Sequence, residues 1–93
     1  MALTQIDDQA FGNVIQGHQS VQDYIAQQRN NVRQEVENAQ SQNSGQMINS
    51  LVSAHDDWDA RMQDILNNLG TMVSALQTTR TQLASQDESN TVR

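Results

Sequence analysis

The chain has 93 residues, of which five are basic and eleven are acidic, and its formal net charge is −6 at pH 7. Such a surface repels phosphate backbones, so nucleic acid is not an expected partner. Cysteine is absent, which excludes disulfides, thiol catalysis and thiolate metal sites. Proline is also absent and aromatic residues make up 3 %, a composition that favours long helices over a compact globular core.

The sequence contains no run of about 18 apolar residues, the length that a membrane-spanning helix needs. The first residues also lack a charged segment followed by an apolar one, the pattern of a secretory signal peptide. We therefore expect neither a membrane anchor nor a cleaved signal peptide.

Apolar residues recur at helical spacing through the first half of the chain. In heptad notation the a positions hold Phe11, His18, Ile25, Val32 and Ala39. The d positions begin with Val14 and Val21 and then turn polar, while Ile15 and Val36 at e widen the stripe. This pattern predicts a helix over about residues 7–41.

The apolar stripe resumes in the second half of the chain and is stronger there. Its a positions hold Ile48, His55, Met62, Leu69, Leu76 and Leu83. Its d positions hold Leu51, Trp58, Ile65 and Met72, and its e positions include Val52, Leu66 and Val73. We predict a helix over about residues 47–86, followed by a flexible tail over 87–93.

A single break separates the two stripes, at about residues 42–46. It contains Asn43, Ser44 and Gly45, and glycine is the strongest helix-breaking residue near the midpoint. The break predicts an antiparallel helical hairpin that forms one all-α domain over residues 1–93. Because each stripe covers nearly three positions in seven, one hairpin would leave a flank of each stripe in water. We therefore expect a second hairpin to complete a four-helix bundle.

A hairpin of this length with a glycine in its central turn resembles the WXG100 family of ESAT-6- and CFP-10-like proteins. The family's W-x-G turn falls on Asn43-Ser44-Gly45, with the glycine kept and the tryptophan missing. Trp58 matches a large residue that the family carries beyond the turn. The family's C-terminal export element, Tyr-x-x-x-Asp/Glu, falls on Leu83 to Asp87, with the acid kept and the tyrosine missing.

This resemblance implies a small substrate of a type VII (ESX) secretion system, cytoplasmic before export and then secreted or on the cell surface. It implies pairing with a second WXG100-like hairpin and recognition by the type VII secretion ATPase through Leu83 and Asp87. A heterodimer with a more typical member would supply the missing aromatics, and a homodimer is the alternative. The predicted dimer interface comprises Ile25, Val32, Ile48, Leu51, Trp58, Ile65, Leu69 and Met72.

Catalytic, cofactor and metal sites are not predicted. His18 and His55 both fall on the apolar stripe, but an antiparallel hairpin keeps them apart, so they are interpreted as core residues. The acidic residues around Trp58 are interpreted as a solvated helix face. Two other functions remain open, a cytosolic helical adaptor or chaperone and a filament subunit of the secretion-needle type, although needle proteins typically have proline in the turn.

Overall fold

The computed structural model describes residues 5–91, and it describes the side chains of residues 5–86. Helix α1 spans Gln5–Gln42 and helix α2 spans Gln46–Thr91. The helices pack against each other as an antiparallel hairpin that measures 73 × 16 × 12 Å. The described part of the chain contains no strand, so the prediction of an all-α helical hairpin is confirmed.

The helix ends differ little from those predicted, except at the end of α2. There the backbone remains helical to Thr91 instead of leaving the helix near residue 86. Residues 87–91 contain neither glycine nor proline, so nothing in this segment breaks the helix. Of the predicted tail, residues 92–93 and the side chain of Asp87 lie outside what the structure describes.

The two helices pack through their a and e positions, which we call the seam. On α1 the buried and half-buried seam residues are Asp8, Phe11, Ile15, His18, Gln22, Ile25, Arg29, Val32, Val36 and Ala39. On α2 they are Ile48, Val52, His55, Asp59, Met62, Leu66, Leu69, Val73, Leu76, Arg80 and Leu83. The spacing alternates between four and three residues without interruption, which is the repeat of a left-handed helix pair.

The heptad assignment placed the a and d positions at the centre of the apolar stripe, with e only widening it. In the structure e lies in the seam and d lies outside it. The physical reason is visible on α1, where d becomes polar at Gln28 and Glu35, while the e positions alongside hold Arg29 and Val36. Arg29 has an acidic partner across the seam, so its charge is accommodated there.

The hairpin buries very little apolar surface. Among the described side chains only two hydrophobic ones are buried, Ile15 at 6 % exposure and Val73 at 8 %. Two helices form a single layer, so each stripe is covered from one side only. A chain with such a small core has little stability of its own.

Two ion pairs cross the seam, and both join e positions. Arg29 Nε and Nη2 donate to the two carboxylate oxygens of Asp59 at 2.7 and 2.8 Å. Near the open end of the hairpin, Arg80 Nε and Nη2 donate to the oxygens of Asp8 at 2.6 and 2.9 Å. Gly12 leaves room for the second pair, because a Cβ at this position would lie 3.4 Å from both Nη atoms of Arg80. Both pairs are bidentate, a geometry that fixes the relative position of the two helices.

The turn is formed by residues 43–45, which are the only non-helical residues between the two helices. The side-chain amide of Asn43 donates to the Ala39 carbonyl at 3.0 Å and so satisfies a free acceptor at the end of α1. Gly45 has φ +109°, and its carbonyl accepts the first hydrogen bond of α2, from the Asn49 N–H, at 3.1 Å. The chain therefore reverses at a residue without a side chain.

We expect Gly45→Ala to destabilise the hairpin by about 1–3 kcal/mol, because side chains rarely tolerate this backbone conformation. Thermal unfolding followed by circular dichroism measures the change. Gly17→Ala is the matched control, since no atom lies within 4 Å of the new methyl group. In the middle of a helix this control should stabilise by about 1 kcal/mol. Equal effects of the two substitutions would contradict the assigned turn.

The hairpin should also lose stability in acid. Hydrogen bonds from Arg29 hold the pKa of Asp59 below its ordinary value of 3.8, and Arg80 lowers the pKa of Asp8 in the same way. A lowered folded-state pKa contributes stability above the unfolded-state value, and this contribution disappears as the pH falls through the folded-state pKa. We expect the melting temperature to fall below about pH 4, and to fall less in Asp59→Asn. In the control Asp57→Asn, which removes an aspartate without an ion pair among the described side chains, the acid response should match wild type.

A candidate docking face

The d positions of both helices lie on one side of the hairpin. In each helix, a d residue comes directly before an e residue of the seam. In an antiparallel helix pair, the residues directly before the e positions of the two helices point to the same side of the pair. We call this side the d face. Its apolar members are Val14, Val21, Leu51, Trp58, Ile65 and Met72. Its polar members are Asp7, Gln28, Glu35, Gln42, Thr79 and Gln86.

Large apolar side chains on the d face are exposed to solvent. Val14 and Val21 on α1 are each 47 % exposed, and on α2 the values for Leu51, Ile65 and Met72 lie between 40 % and 49 %. On α2 the row extends for roughly 30 Å. Single exposed apolar residues are common on protein surfaces, but several of them along one side of a helix pair are typical of an interaction site.

The eight residues predicted for the dimer interface fall into two groups. Half of them lie half-buried in the seam of their own hairpin, namely Ile25, Val32, Ile48 and Leu69. The other half belong to the d face, namely Leu51, Trp58, Ile65 and Met72. The first group stabilises the hairpin itself, so only the second group is available to a partner.

Trp58 is the half-buried member of the apolar row on α2. Its ring lies 5.9 Å from the ring of His55, with an angle of 31° between the two planes. His55 belongs to the seam, where its Nε2 is buried without a hydrogen-bond partner and its Nδ1 lies 3.8 Å from a carboxylate oxygen of Asp56. The tryptophan thus joins the hairpin's own packing to the edge of the d face.

The other histidine is distant from this pair. The ring N–H of His18 donates to the Val14 carbonyl of its own helix at 2.8 Å. Among the described residues no group of three or more histidine, aspartate and glutamate side chains is arranged to hold a metal ion. Neither histidine therefore belongs to such a group.

The acidic residues around Trp58 have different environments. Asp56, Asp57 and Asp64 are exposed on α2, while Asp59 lies in the seam with Arg29. The sequence interpretation treated these acids as one solvated face and missed the seam pairs. The sequence did contain a signal for these ion pairs. Residues 29 and 59 carry opposite charges at e positions, and so do residues 8 and 80. The two pairs of residue numbers have the same sum, as facing residues of an antiparallel hairpin do.

The d face continues to the turn of the hairpin. A shallow groove of about 460 Å³ lies there, lined by Asn43, Ser44, Met47, Ile48 and Leu51. Met47 is 87 % exposed, so this end of the face is also apolar. Of the three predicted turn residues, Asn43 caps α1 and Gly45 begins α2, and Ser44 lies between them.

The predicted export element lies at the opposite end of α2. Leu83 is half-buried at an a position of the seam. The side chain of Asp87 lies outside the described part, although its backbone belongs to α2. The structure thus gives the leucine a packing role within the hairpin.

Neither of the two described helices is long and apolar enough to cross a membrane. No protein-family model matches the chain, and no curated protein and no solved structure matches it. The d face and the seam are therefore the features from which we infer function.

Proposed function

We propose that the chain is a small helical-hairpin protein that acts by pairing its d face with a second helical hairpin, and that a type VII secretion system exports the pair. One observation supports the pairing most strongly, namely the row of exposed Leu51, Ile65 and Met72 on a hairpin with almost no buried core. A face of this kind is stabilised when a partner removes it from water.

The free energy that docking would gain is estimated from the solvent exposure of the d-face side chains in the single hairpin. Complete burial of a large aliphatic side chain stabilises by about 1.5–3 kcal/mol. The exposed d-face residues have 40–49 % of their area still in water, so docking would gain roughly 1 kcal/mol for each of them. Five such residues on each chain would together gain on the order of 10 kcal/mol, which is comparable to the roughly 4–15 kcal/mol that association costs.

A second hairpin is the partner whose shape suits this face. It would present two antiparallel helices to two antiparallel helices and complete a four-helix bundle. The resemblance to WXG100 proteins implies a heterodimer with a more typical member, and a second copy of this chain is the alternative. In either case the function is recognition between proteins and involves no catalytic group.

Export is the part of the proposal that rests on the resemblance. Leu83 and Asp87 are four residues apart within the helical backbone of α2, so they lie on one side of it. The type VII secretion ATPase would bind the apolar side chain and the carboxylate together. The chain would be cytoplasmic before export and would then be secreted or held at the cell surface.

Two other functions would use the same d face. A cytosolic helical adaptor would dock there without being exported, and a filament subunit would use the face to build an open assembly. Export distinguishes the first of these from the proposal, and a closed assembly of two chains distinguishes the second.

We expect Ile65→Ser combined with Met72→Ser to weaken association at least about tenfold, because roughly 2 kcal/mol of apolar burial is lost from each chain. Sedimentation equilibrium measures this for the chain alone and for the chain co-expressed with a hairpin protein encoded beside it. The control is Ile6→Ser, which removes a 77 % exposed side chain outside the d face. Unchanged association in the double variant would contradict docking at this face.

We expect Asp87→Ala to lower the amount of the pair in the culture filtrate while its amount in the cell lysate holds. A single charge near the end of a helix is expected to contribute little to stability, so folding and pairing should survive. The matched control is Asp57→Ala, which removes an acid from the exposed surface of the same helix. The partner's corresponding tail variant and the combination of both are measured in parallel. Wild-type export of all three tail variants would refute the export element.

A further inference from the structure

The turn holds an asparagine in surroundings that no other asparagine of the chain has. Every asparagine except Asn43 lies within α1 or α2. Asn43 and the residue after it, Ser44, are both exposed and non-helical. Apart from its chain neighbours, no atom lies within 4 Å of the position of a Cβ on Gly45, so the space beside these two residues is open.

The backbone nitrogen of Ser44 is not held by a hydrogen bond to another backbone group. Among the described residues outside the helices, one backbone hydrogen bond is formed, from the Asn49 N–H to the Gly45 carbonyl. Within a helix, by contrast, each N–H donates to the carbonyl four residues earlier, and the backbone dihedral angles are restricted. The nitrogen that follows Asn43 is therefore free to approach its side chain, whereas the nitrogens that follow the helical asparagines are held.

Asparagine is a chemically labile residue, and this freedom allows a specific reaction. The Ser44 nitrogen gives its proton to water, forms a bond to Cγ of Asn43 and displaces Nδ2, which takes up a proton and leaves as ammonia. Water then opens the cyclic imide. Opening at Cγ gives aspartate, and opening at the main-chain carbonyl carbon gives isoaspartate, in which the chain continues through the former side chain. The net reaction consumes one water and releases one ammonia, so it requires no oxidant and no reductant.

We propose that Asn43 is a site of spontaneous deamidation and isoaspartate formation, and that the turn makes it react faster than any other asparagine of the chain. All the reacting groups belong to the turn of a single hairpin. The inference therefore does not depend on the proposed pairing at the d face, and it can fail or hold independently of that pairing.

The hydrogen bond from Asn43 Nδ2 to the Ala39 carbonyl must open before the imide can form. This bond lies on the surface, where water competes for both groups, so it opens readily. The reaction then removes it permanently, because an ionised carboxylate has no proton to donate. The product also places a negative charge at the C-terminal end of α1, which is the negative end of the helix dipole. Deamidation thus removes a cap of α1.

The reaction would also change the surface at the turn. Asn43 and Ser44 line the groove that continues to Met47 and Leu51, and all the residues that line this groove are uncharged. The product adds a carboxylate to the rim of this apolar groove.

The chain contains a matched internal control for this reaction. Asn49 also precedes a serine, Ser50, so the two asparagines have the same neighbour in the sequence. Asn49 lies in the first turn of α2, where the regular helical pattern pairs the Ser50 N–H with the carbonyl four residues earlier. A difference in rate between the two sites in the folded chain then reports the effect of the structure.

Mass spectrometry of the whole chain after incubation in a mildly alkaline buffer measures both rates. The chain has no lysine, so trypsin cleaves it only after arginine and releases residues 34–61, which contain both asparagines. In the folded chain we expect Asn43 to deamidate at least about tenfold faster than Asn49, because α2 must open locally before Asn49 reacts. In guanidinium chloride the two rates should become similar.

Either of two results overturns the inference. Equal rates in the folded chain, or a faster reaction at Asn49, would show that the turn does not promote deamidation. A difference that persists unchanged in guanidinium chloride would show that the local sequence, and not the turn, determines the rate.

A second measurement detects isoaspartate directly. A protein-isoaspartate methyltransferase transfers a labelled methyl group to isoaspartyl residues, and it serves here as the probe. The label should appear in the incubated wild type and in the control Asn49→Gln, and it should be lost in Asn43→Gln, whose longer side chain disfavours ring closure. Circular dichroism verifies that each variant is folded. Label that persists in folded Asn43→Gln would place the reaction elsewhere and overturn the inference.

The effect on α1 is tested with Asn43→Asp, which reproduces the charge of the aspartate product. This variant should melt at a lower temperature than Asn49→Asp, because its acid lies at the C-terminal end of α1, while the acid of the control lies in the first turn of α2. An equal or higher melting temperature for Asn43→Asp would refute the loss of the cap.

Discussion

The antiparallel seam, held in register by two bidentate ion pairs, is the constraint on which the rest of the structure depends. Apolar a and e residues alone would also pack after a slip of one heptad, because leucine, isoleucine and valine recur at each repeat. The Arg29–Asp59 and Asp8–Arg80 pairs do not recur, and a slipped register would place their charges against apolar residues. Their side chains are partly exposed, so they contribute more to the choice of register than to stability.

The composition of the seam explains why the hairpin has an exposed apolar face. A helix that carries three apolar positions in seven has one stripe with two flanks, and a single neighbouring helix covers only one flank. The e flank is covered here, and the d flank is left in water on both helices. The same incomplete coverage of each apolar stripe explains the small core, in which only Ile15 and Val73 are buried among the described side chains. Low stability and an exposed face therefore have one cause.

The proposed pairing at the d face would make use of this arrangement. Among the described residues no group of side chains is arranged to hold a metal ion, and the d face exposes large apolar side chains. In the proposed pairing, the exposed apolar residues of the d face on α2 would supply the driving force.

The sequence by itself determined the helices, the turn and the absence of strands, because helical periodicity and a glycine break are local properties that each segment carries alone. It also identified every apolar member of the d face as part of a stripe. Only the tertiary structure decided which flank of the stripe packs inside the hairpin. Seams through a and d or through a and e differ by a rotation of roughly 50° about each helix axis, and a single helix does not distinguish them. The choice depends on which residues meet across the hairpin, and here Arg29 opposite Asp59 and Arg80 opposite Asp8 favour the e flank.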